Sequence, residues 1–506
     1  MLGGHQVSDR NPLGLLKTMA GASTQVSWPQ VQAAFQRIWG YPQFRPPQDS
    51  IIRSLLDQRD TLVVLPTGGG KSLCFQLPAL LQQGVTLVIS PLVALMEDQV
   101  QDLRQRGLAA AALHSELAPR DRRQVLRDLS AQRLRLLYLS PEGLLSPPVW
   151  ERLCQPDLVL NGLILDEAHC LVQWGDTFRP AYRRLGAVRP ALLAQRPPGT
   201  PLPIAAFTAT ADPQAQAVIR SVLQLQEPQV VRLSPYRANL HLGVKTVWTP
   251  QMRQQALGQF IHAQGQQAGL VYVRTRRDSE TLAATLAQRG HRVAPYHAGL
   301  SARDRRQREA AWLGDGLQFV VCTNAFGMGV NKPNVRWVAH FHAPALLTEY
   351  VQEVGRAGRD GHPARALTLV SEPTGLLDPS DRQRSQFFAR QEISLRQRAT
   401  ALAQQLPAQG TVAAVQSQFK DGAIALAYLH SQGQLTWIDP FQYRLRPAPP
   451  ATAAPGEDPA QAMHRYLHGG DCRWQTILTR FGFRGDAQRL GACGHCDRCH
   501  RRSRHL

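Results

Sequence analysis

Twice along this chain, short runs of almost unbroken apolar residues alternate with longer stretches of helical spacing, and that rhythm limits the fold more than any other feature. The first set is TLVVLP (61–66), VTLVISP (85–91), LRLLYLSP (134–141), GLILDE (162–167) and PIAAFTATA (203–211). The second is AGLVYVRT (268–275), HRVAPYH (291–297), LQFVVCTNA (317–325), VRWVAHFHAP (335–344) and RALTLVS (365–371). A strand that is apolar on both faces needs cover on both faces, which parallel strands with crossover helices provide. Segments such as LVALMEDQVQDLRQRG (92–107) supply such helices and stop at glycine. Two consecutive arrays predict an α/β chain of two tandem doubly wound parallel-sheet lobes. A ligand between them would meet loops from both carboxyl edges.

At 506 residues the chain exceeds what one core can organise. No apolar run approaches the ~20 residues of a membrane span, and the first 27 residues lack a signal-peptide core, so no membrane association and a cytoplasmic location are expected. The formal charge of +20 invites a polyanionic partner, although only five of the 57 basic residues are lysine and a coding bias toward arginine would give the same sum. Beyond Ser371 the strand rhythm stops. Residues 380–406 are polar and helical in pattern, and 408–446 suggest helix, turn, helix and a short hairpin, the outline of a winged-helix-like unit. The stretch RPAPPATAAPGEDPA (446–460) reads as a linker.

Three constellations carry chemistry. LPTGGGKS (65–72) follows a strand and precedes the helical stretch LCFQLPALLQQG. Thr67, Gly68, Gly69 and Gly70 would let backbone N–H groups approach a polyphosphate; Lys71 would reach its outer phosphates and Ser72 would ligate Mg²⁺. Leu65 stands where the full P-loop pattern has glycine. GLILDEAH delivers Asp166 to the same edge for the Mg²⁺ shell, with Glu167 beside it to orient or deprotonate water. In VQEVGRAGRDG (351–361), Arg356 and Arg359 are one turn apart if helical, and could neutralise transition-state charge once the lobes close.

Of eight cysteines, Cys74, Cys154, Cys170 and Cys322 sit within apolar patterns as core residues. Cys472, Cys493, Cys496 and Cys499 form C-x20-C-x2-C-x2-C, the donor set of a structural Zn²⁺ site; His495 and His500 are read as bystanders.

The ordered motifs LPTGGGKS, TLVISPLVALMEDQV, DEAH, AFTATA, YHAGL, TNAFGMGVNKPNVR and QEVGRAGRDG resemble those of the RecQ family of superfamily 2 helicases, over about residues 35–361. The resemblance implies RecA-like lobes and ATP-driven 3′→5′ translocation on single-stranded DNA, with unwinding of forked duplex in repair and recombination. FRPPQ (44–48) is similar to the family's adenine-recognition element, with Arg45 and Gln48 on the base and Tyr41 stacked beside it. HCLVQWGDTFRP (169–180) is similar to the family's aromatic-rich loop, where Trp174 and Phe178 would stack on bases. Ser90, Pro91 and Leu92, with Thr323 and Asn324, sit in motifs that would grip the DNA backbone. The cysteine pattern, with CRWQTILTRFGF, resembles the family's zinc element.

The implied organisation is a tail (1–27), lobe 1 (28–232), lobe 2 (233–375), a helical and winged-helix-like segment (376–446), a linker (447–460) and a zinc subdomain with basic tail (461–506), acting as a monomer. Relatives of the long form place the zinc element directly behind the second lobe with a winged helix after it. Here the chain ends seven residues after Cys499, so no further nucleic-acid domain is expected and the winged-helix-like unit precedes the zinc element. His342 stands where relatives often carry aspartate. An RNA helicase, or a zinc-dependent DNA-binding or annealing protein with a vestigial ATP site, are the other readings; the QWG…FRP loop and the zinc pattern oppose the first, the intact Lys71, Ser72, Asp166, Glu167, Arg356 and Arg359 the second. Asp176-Thr177 replaces the family's usual His-Asp after QWG. ATP hydrolysis slower or less DNA-dependent than in relatives follows, and Asp176→His should raise the stimulation by single-stranded DNA. Equal stimulation of both proteins would exclude this.

Overall fold

The computed structural model describes residues 26–173, 175, 179–326, 332–447 and 459–503. The first apolar set, with two further strands, forms a seven-stranded sheet. Its members are β1 (Thr61–Val64), β2 (Val85–Ile89), β3 (Ala110–Leu113), β4 (Leu136–Leu139), β5 (Leu160–Leu165), β6 (Ile204–Thr208) and β7 (Gln229–Arg232). They pair in parallel in the order β3-β4-β2-β5-β6-β1-β7. The second set gives β8 (Leu240–Val247), β9 (Gly269–Tyr272), β10 (Val293–Tyr296), β11 (Phe319–Cys322), β12 (Trp337–His340) and β13 (Ala364–Ser371). These also pair in parallel, in the order β10-β11-β9-β12-β13-β8. Both faces of each sheet are covered: Leu87, Leu137 and Leu163 pack on one side of the first and Val63, Val88 and Phe207 on the other. Because all strands of a sheet run one way, every functional loop leaves from one edge.

Three strands lie outside the runs predicted from apolarity. β3 is AAAL, poor in β-branched residues, and takes its place at a sheet edge through pairing with β4. β7 and β8 are edge strands that are only partly buried, and polar residues such as Gln229, Arg232, His241, Lys245 and Thr246 interrupt their apolar runs.

After β13 a helix of 24 residues, Ser380–Ala403, leads into β14 (Gln409–Thr411), the helices Val412–Gln418 and Gly422–Ser431, then β15 (Leu435–Asp439) and β16 (Gln442–Leu445). The antiparallel sheet order β14-β16-β15, with two short helices between its first two strands, is the winged-helix arrangement expected over 408–446. Its own small core joins Leu402, Val415, Leu426 and Leu435. The unit docks on the first lobe, not the second. At the tip of its hairpin Phe441 meets Trp150 edge-on at 5.2 Å, and Arg184 Nη1 donates to the Pro440 carbonyl at 3.2 Å.

The chain then returns to the second lobe. Helices Pro459–His468, Arg473–Arg480, Arg484–Leu490 and Asp497–Ser503 form the last segment. Met463, Tyr466, Trp474, Ile477 and Phe481 join the core of the second sheet. Trp474 Nε1 donates to the Leu240 carbonyl at 3.1 Å, and Asp497 accepts from Arg473 at 2.9 Å. The expected tail and linker fall largely outside the described residues. Among those described, no helix is long and apolar enough to cross a membrane.

Candidate nucleotide and metal sites

β1 ends at Val64 and the chain turns through Pro66-Thr67-Gly68-Gly69-Gly70 into the helix Lys71–Leu81. Gly68 (φ 87°) and Gly70 (φ 74°) occupy the left-handed region, which the turn demands and which glycine adopts at little cost. Gln48 holds this turn from outside: its Nε2 donates to the Gly69 carbonyl at 3.1 Å, while the Arg45 N–H donates to its Oε1 at 2.9 Å. A methyl group on Gly70 would stand 2.3 Å from the Gln48 amide nitrogen. Tyr41 is exposed, its ring 5.9 Å from that of Phe35. The Tyr41–Gln48 segment and the glycine turn therefore lie side by side.

β5 emerges two strands away, on the same edge, and presents Asp166 and Glu167. Both are buried. Glu167 has φ 50°, an uncommon conformation for a side chain of its size, and its N–H donates to Asp166 Oδ1 at 3.0 Å. Lys71 Nζ lies 3.4 Å from Glu167 Oε1, and His169 Nδ1 lies 3.3 Å from Glu167 Oε2. Burial works against the Glu167 charge, but Lys71 and His169 outweigh it and hold the carboxyl well below the usual range. Asp166 goes the other way: burial and the Glu167 charge push it up to about 6, against the opposing pull of Lys71. His169 also contacts Thr208 Oγ1 at 3.2 Å, so the carboxylate is tied to the end of β6. Gln99, from the helix Val93–Gln105 that follows Ser90-Pro91, approaches Asp166 Oδ2 at 3.5 Å. Gln99 and His169 lie inside recognised motifs, but nothing in the one-dimensional pattern marks their contacts.

The arginine pair comes from the other sheet. The helix Leu347–Val354 ends before it, so Arg356 and Arg359 occupy consecutive turns beyond the helix and not the helical turn considered above. Gly358 (φ 61°) permits that path. The helix is fixed from beneath by a buried network: Arg274 donates to both Glu353 oxygens at 3.0 and 2.9 Å, and His340 Nε2 lies 2.9 Å from Glu353. Burial opposes the Glu353 charge, yet Arg274 and His340 lower its carboxyl to about 2. Arg356 sits buried beside the Tyr272 hydroxyl. Burial and the neighbouring Arg356 charge bring Arg359 down to about 10.

These two halves face each other across the crevice. A methyl group placed on Gly68 would be 4.0 Å from Arg359 Cδ, and one placed on Gly355 would be 3.0 Å from Thr67 Oγ1. Gln173 Nε2 donates to Thr348 Oγ1 across the same gap at 3.0 Å. The structure thus brings Lys71, Asp166, Glu167 and Arg359 to one place. Ser90 is buried, and its hydroxyl has no protein partner among the described residues. Pro91 and Thr323 are buried and Asn324 exposed at the carboxyl edges of β2 and β11. Trp174, Phe178 and the Asp176-Thr177 departure lie outside the described residues. His342 is buried near Asp278, 3.9 Å away.

In the last segment, the sulfurs of Cys472, Cys493, Cys496 and Cys499 lie within 4.8 Å of one another. Cys496 is 3.5 Å from Cys499 and 4.0 Å from Cys472, and Cys493 is 3.9 Å from Cys499. Four sulfurs each ~2.3 Å from a tetrahedral Zn²⁺ stand ~3.8 Å apart, so the spacing fits that ion, whereas a disulfide requires ~2.05 Å. His495 Nδ1 contacts the Cys493 carbonyl at 2.8 Å.

Two parallel sheets facing each other across a crevice, a glycine turn on one and Arg359 approaching it from the other, define a two-lobed nucleoside-triphosphate-driven helicase. Residues 45–218 match the model of the DEAD/DEAH box helicases and residues 252–361 that of the helicase conserved C-terminal domain. The chain is 54% identical over 472 residues to the ATP-dependent DNA helicase RecQ of Synechocystis, covering 93% of this chain and 98% of that protein. It is 39% identical to RecQ of Haemophilus influenzae over 345 residues, 68% of this chain and 54% of the other. The fold matches the DEAD-box helicase Mss116 with a TM-score of 0.57 at 17% identity, over 71% of this chain and 75% of that one. The chain belongs to the RecQ family of ATP-dependent DNA helicases.

Two outcomes follow. Purified protein should carry one Zn per chain by elemental analysis, and Cys496→Ser should lower both that content and the thermal unfolding temperature; a metal content well below one excludes the site. Glu353→Ala leaves Arg274 buried without its partner and should cost ~3–5 kcal/mol in urea unfolding. Since the Glu353 carboxyl lies below its unfolded value, its contribution is fully present above about pH 4.5 and is lost as pH falls toward 2, so wild type and variant should converge in acid.

Proposed function

We propose that this protein hydrolyses ATP between its two lobes to move 3′→5′ along single-stranded DNA and to open forked duplex ahead of it, in DNA repair and recombination. The observation that carries this reading is the approach of the Arg359 side chain to Gly68 of the opposite lobe, where an added methyl would stand 4.0 Å from Arg359 Cδ. An arginine supplied across a gap stabilises transferring phosphoryl charge only when the gap is closed, which couples hydrolysis to lobe movement. Membership of the RecQ family supports DNA as the track.

In this reading Thr67, Gly68, Gly69 and Gly70 cradle the phosphates, and Lys71 exchanges its Glu167 partner for the terminal phosphate. That exchange releases Glu167, already ionised, to take a proton from the attacking water. Ser72 and Asp166 would hold Mg²⁺, which when bound neutralises phosphate charge. Arg356 and Arg359 meet the developing charge, while Tyr41, Arg45 and Gln48 receive the adenine. Ser90, Pro91, Thr323 and Asn324 hold the DNA backbone, and Trp174 and Phe178 stack on bases. Such contacts carry no base identity, so binding is sequence-tolerant and weakens with salt. A divalent cation held at its oxygens would favour the ionised form of Asp166. Cys472, Cys493, Cys496 and Cys499 would hold Zn²⁺, which would brace the last segment where it packs on the second lobe. Lobe 1 comprises 28–232, lobe 2 233–375, the winged-helix-like segment 376–446 and the zinc subdomain 461–506, all in a monomer of the cytoplasm, associated with the nucleoid in a bacterium.

Unwinding of 3′-tailed, 5′-tailed and RNA forks tests this. Opening of the 3′-tailed DNA alone is expected, abolished by Lys71→Ala. Arg359→Ala should lower kcat for ATP by about a thousandfold or more with nucleotide affinity kept. Equal opening of the 5′-tailed or RNA fork would overturn the polarity or the substrate.

A further inference from the structure

The hairpin of the winged-helix unit is not free to meet a duplex. Phe441 at its tip is packed against Trp150 and the core of the first lobe, and the Pro440 carbonyl is taken by Arg184. The exposed aromatic surface of this region lies elsewhere, on the helix Ser380–Ala403. Its root is rigid: buried Arg253 donates to Asp378 at 2.9 and 2.7 Å, to Ser371 at 2.8 Å and to the Phe341 carbonyl at 2.6 Å. Toward its far end Leu395 is buried, and Ala399 and Leu402 join the winged-helix core. Between these anchors, residues 386–394 are exposed on every side. There Phe387 and Phe388 present 55% and 49% of their surface, ring centroids 5.7 Å apart at 71°. Arg390 follows Phe387 by three residues, so an exposed guanidinium shares the turns that carry the rings, whereas Arg384, on the turn before them, is mostly buried and pairs with Asp381 at 3.4 Å.

A soluble chain gains nothing in stability by holding two phenylalanines in water on a clamped helix. The helix starts at the carboxyl end of β13, the edge that also carries Thr323 and Asn324, and ends in a unit seated on the first lobe. It therefore bridges the bodies between which a strand is held. We infer that Phe387 and Phe388 form a base-stacking platform for single-stranded DNA on the helix that joins the two lobes, with Arg390 on an adjoining phosphate. Aromatic faces with interleaved cations bind single strands without sequence preference, and a polyanion answers the charge of +20.

This inference rests on the DNA-translocating reading, and the test separates the two. Fluorescence anisotropy with a 3′-tailed fork, unwinding rate, and ATPase at saturating single-stranded DNA are measured for wild type, Phe387→Ala/Phe388→Ala, and the Leu/Leu and Trp/Trp doubles. The Ala and Leu doubles should bind the fork on the order of fivefold or more weaker, with kcat for ATP at saturating DNA within about twofold of wild type; the Trp double should match or exceed wild type. Ala or Leu variants with wild-type fork affinity overturn the platform and assign the exposed rings to a protein partner. Loss of kcat in the Ala double overturns it too, by making the pair structural. A wild-type protein with no DNA-stimulated ATPase removes the translocating reading itself.

Discussion

A nucleotide site divided between two bodies is the constraint on which this molecule depends. The glycine turn, Lys71, Asp166 and Glu167 belong to one sheet, and Arg356 and Arg359 to another, yet a methyl group on Gly68 would stand 4.0 Å from Arg359 Cδ. In the proposed reading, charge stabilisation at the phosphates would require both sheets to present the correct edge at the correct distance. Parallel strands satisfy the first condition, because every carboxyl terminus lies on one side. The buried Arg274–Glu353–His340 network satisfies the second, since it fixes the helix from which the arginine turns emerge.

The carboxylates are equally dependent on their setting. Asp166 and Glu167 are neighbours in the chain and are both buried, but they are pushed in opposite directions. Lys71 and His169 favour charge on one, and burial beside that charge disfavours it on the other. Paired titratable groups separated in this way can divide the work of binding a cation and handling a proton. His169 and Gln99 extend the pair toward Thr208 and toward the helix after Ser90, so the motifs that flank the site are physically joined to it.

The carboxyl-terminal third adds ties between the lobes. The winged-helix unit grows from the second lobe and seats its hairpin on the first, while the cysteine-bearing segment returns to the second lobe's core. From there Arg480 pairs with Asp212 at 3.0 Å, and Asp212 also caps the helix Pro213–Val222 of the first lobe. Together with Gln173 and Thr348, these contacts mean that relative movement of the lobes must remake polar bonds at several points around the crevice.

Much was legible in the residues themselves. Runs such as TLVVLP and LQFVVC can only be covered strands, and a run of three glycines before Lys-Ser fixes a phosphate-sized turn, because both follow from local sterics and burial. The four cysteines offer the donor type and spacing that suit a metal. The Ala-rich β3 and the partly polar edge strands β7 and β8 escaped, because their pairing comes from neighbours and not from their own propensity. The end of the helix at Val354, the opposite fates of Asp166 and Glu167, and the docking of Phe441 on Trp150 were likewise out of reach. The chain alone determined the two parallel sheets, the chemistry of their loops and the thiolate cluster. Only the tertiary structure decided which lobe each appended unit rests on and which charges meet, since burial, distance and partnership join residues far apart in the sequence.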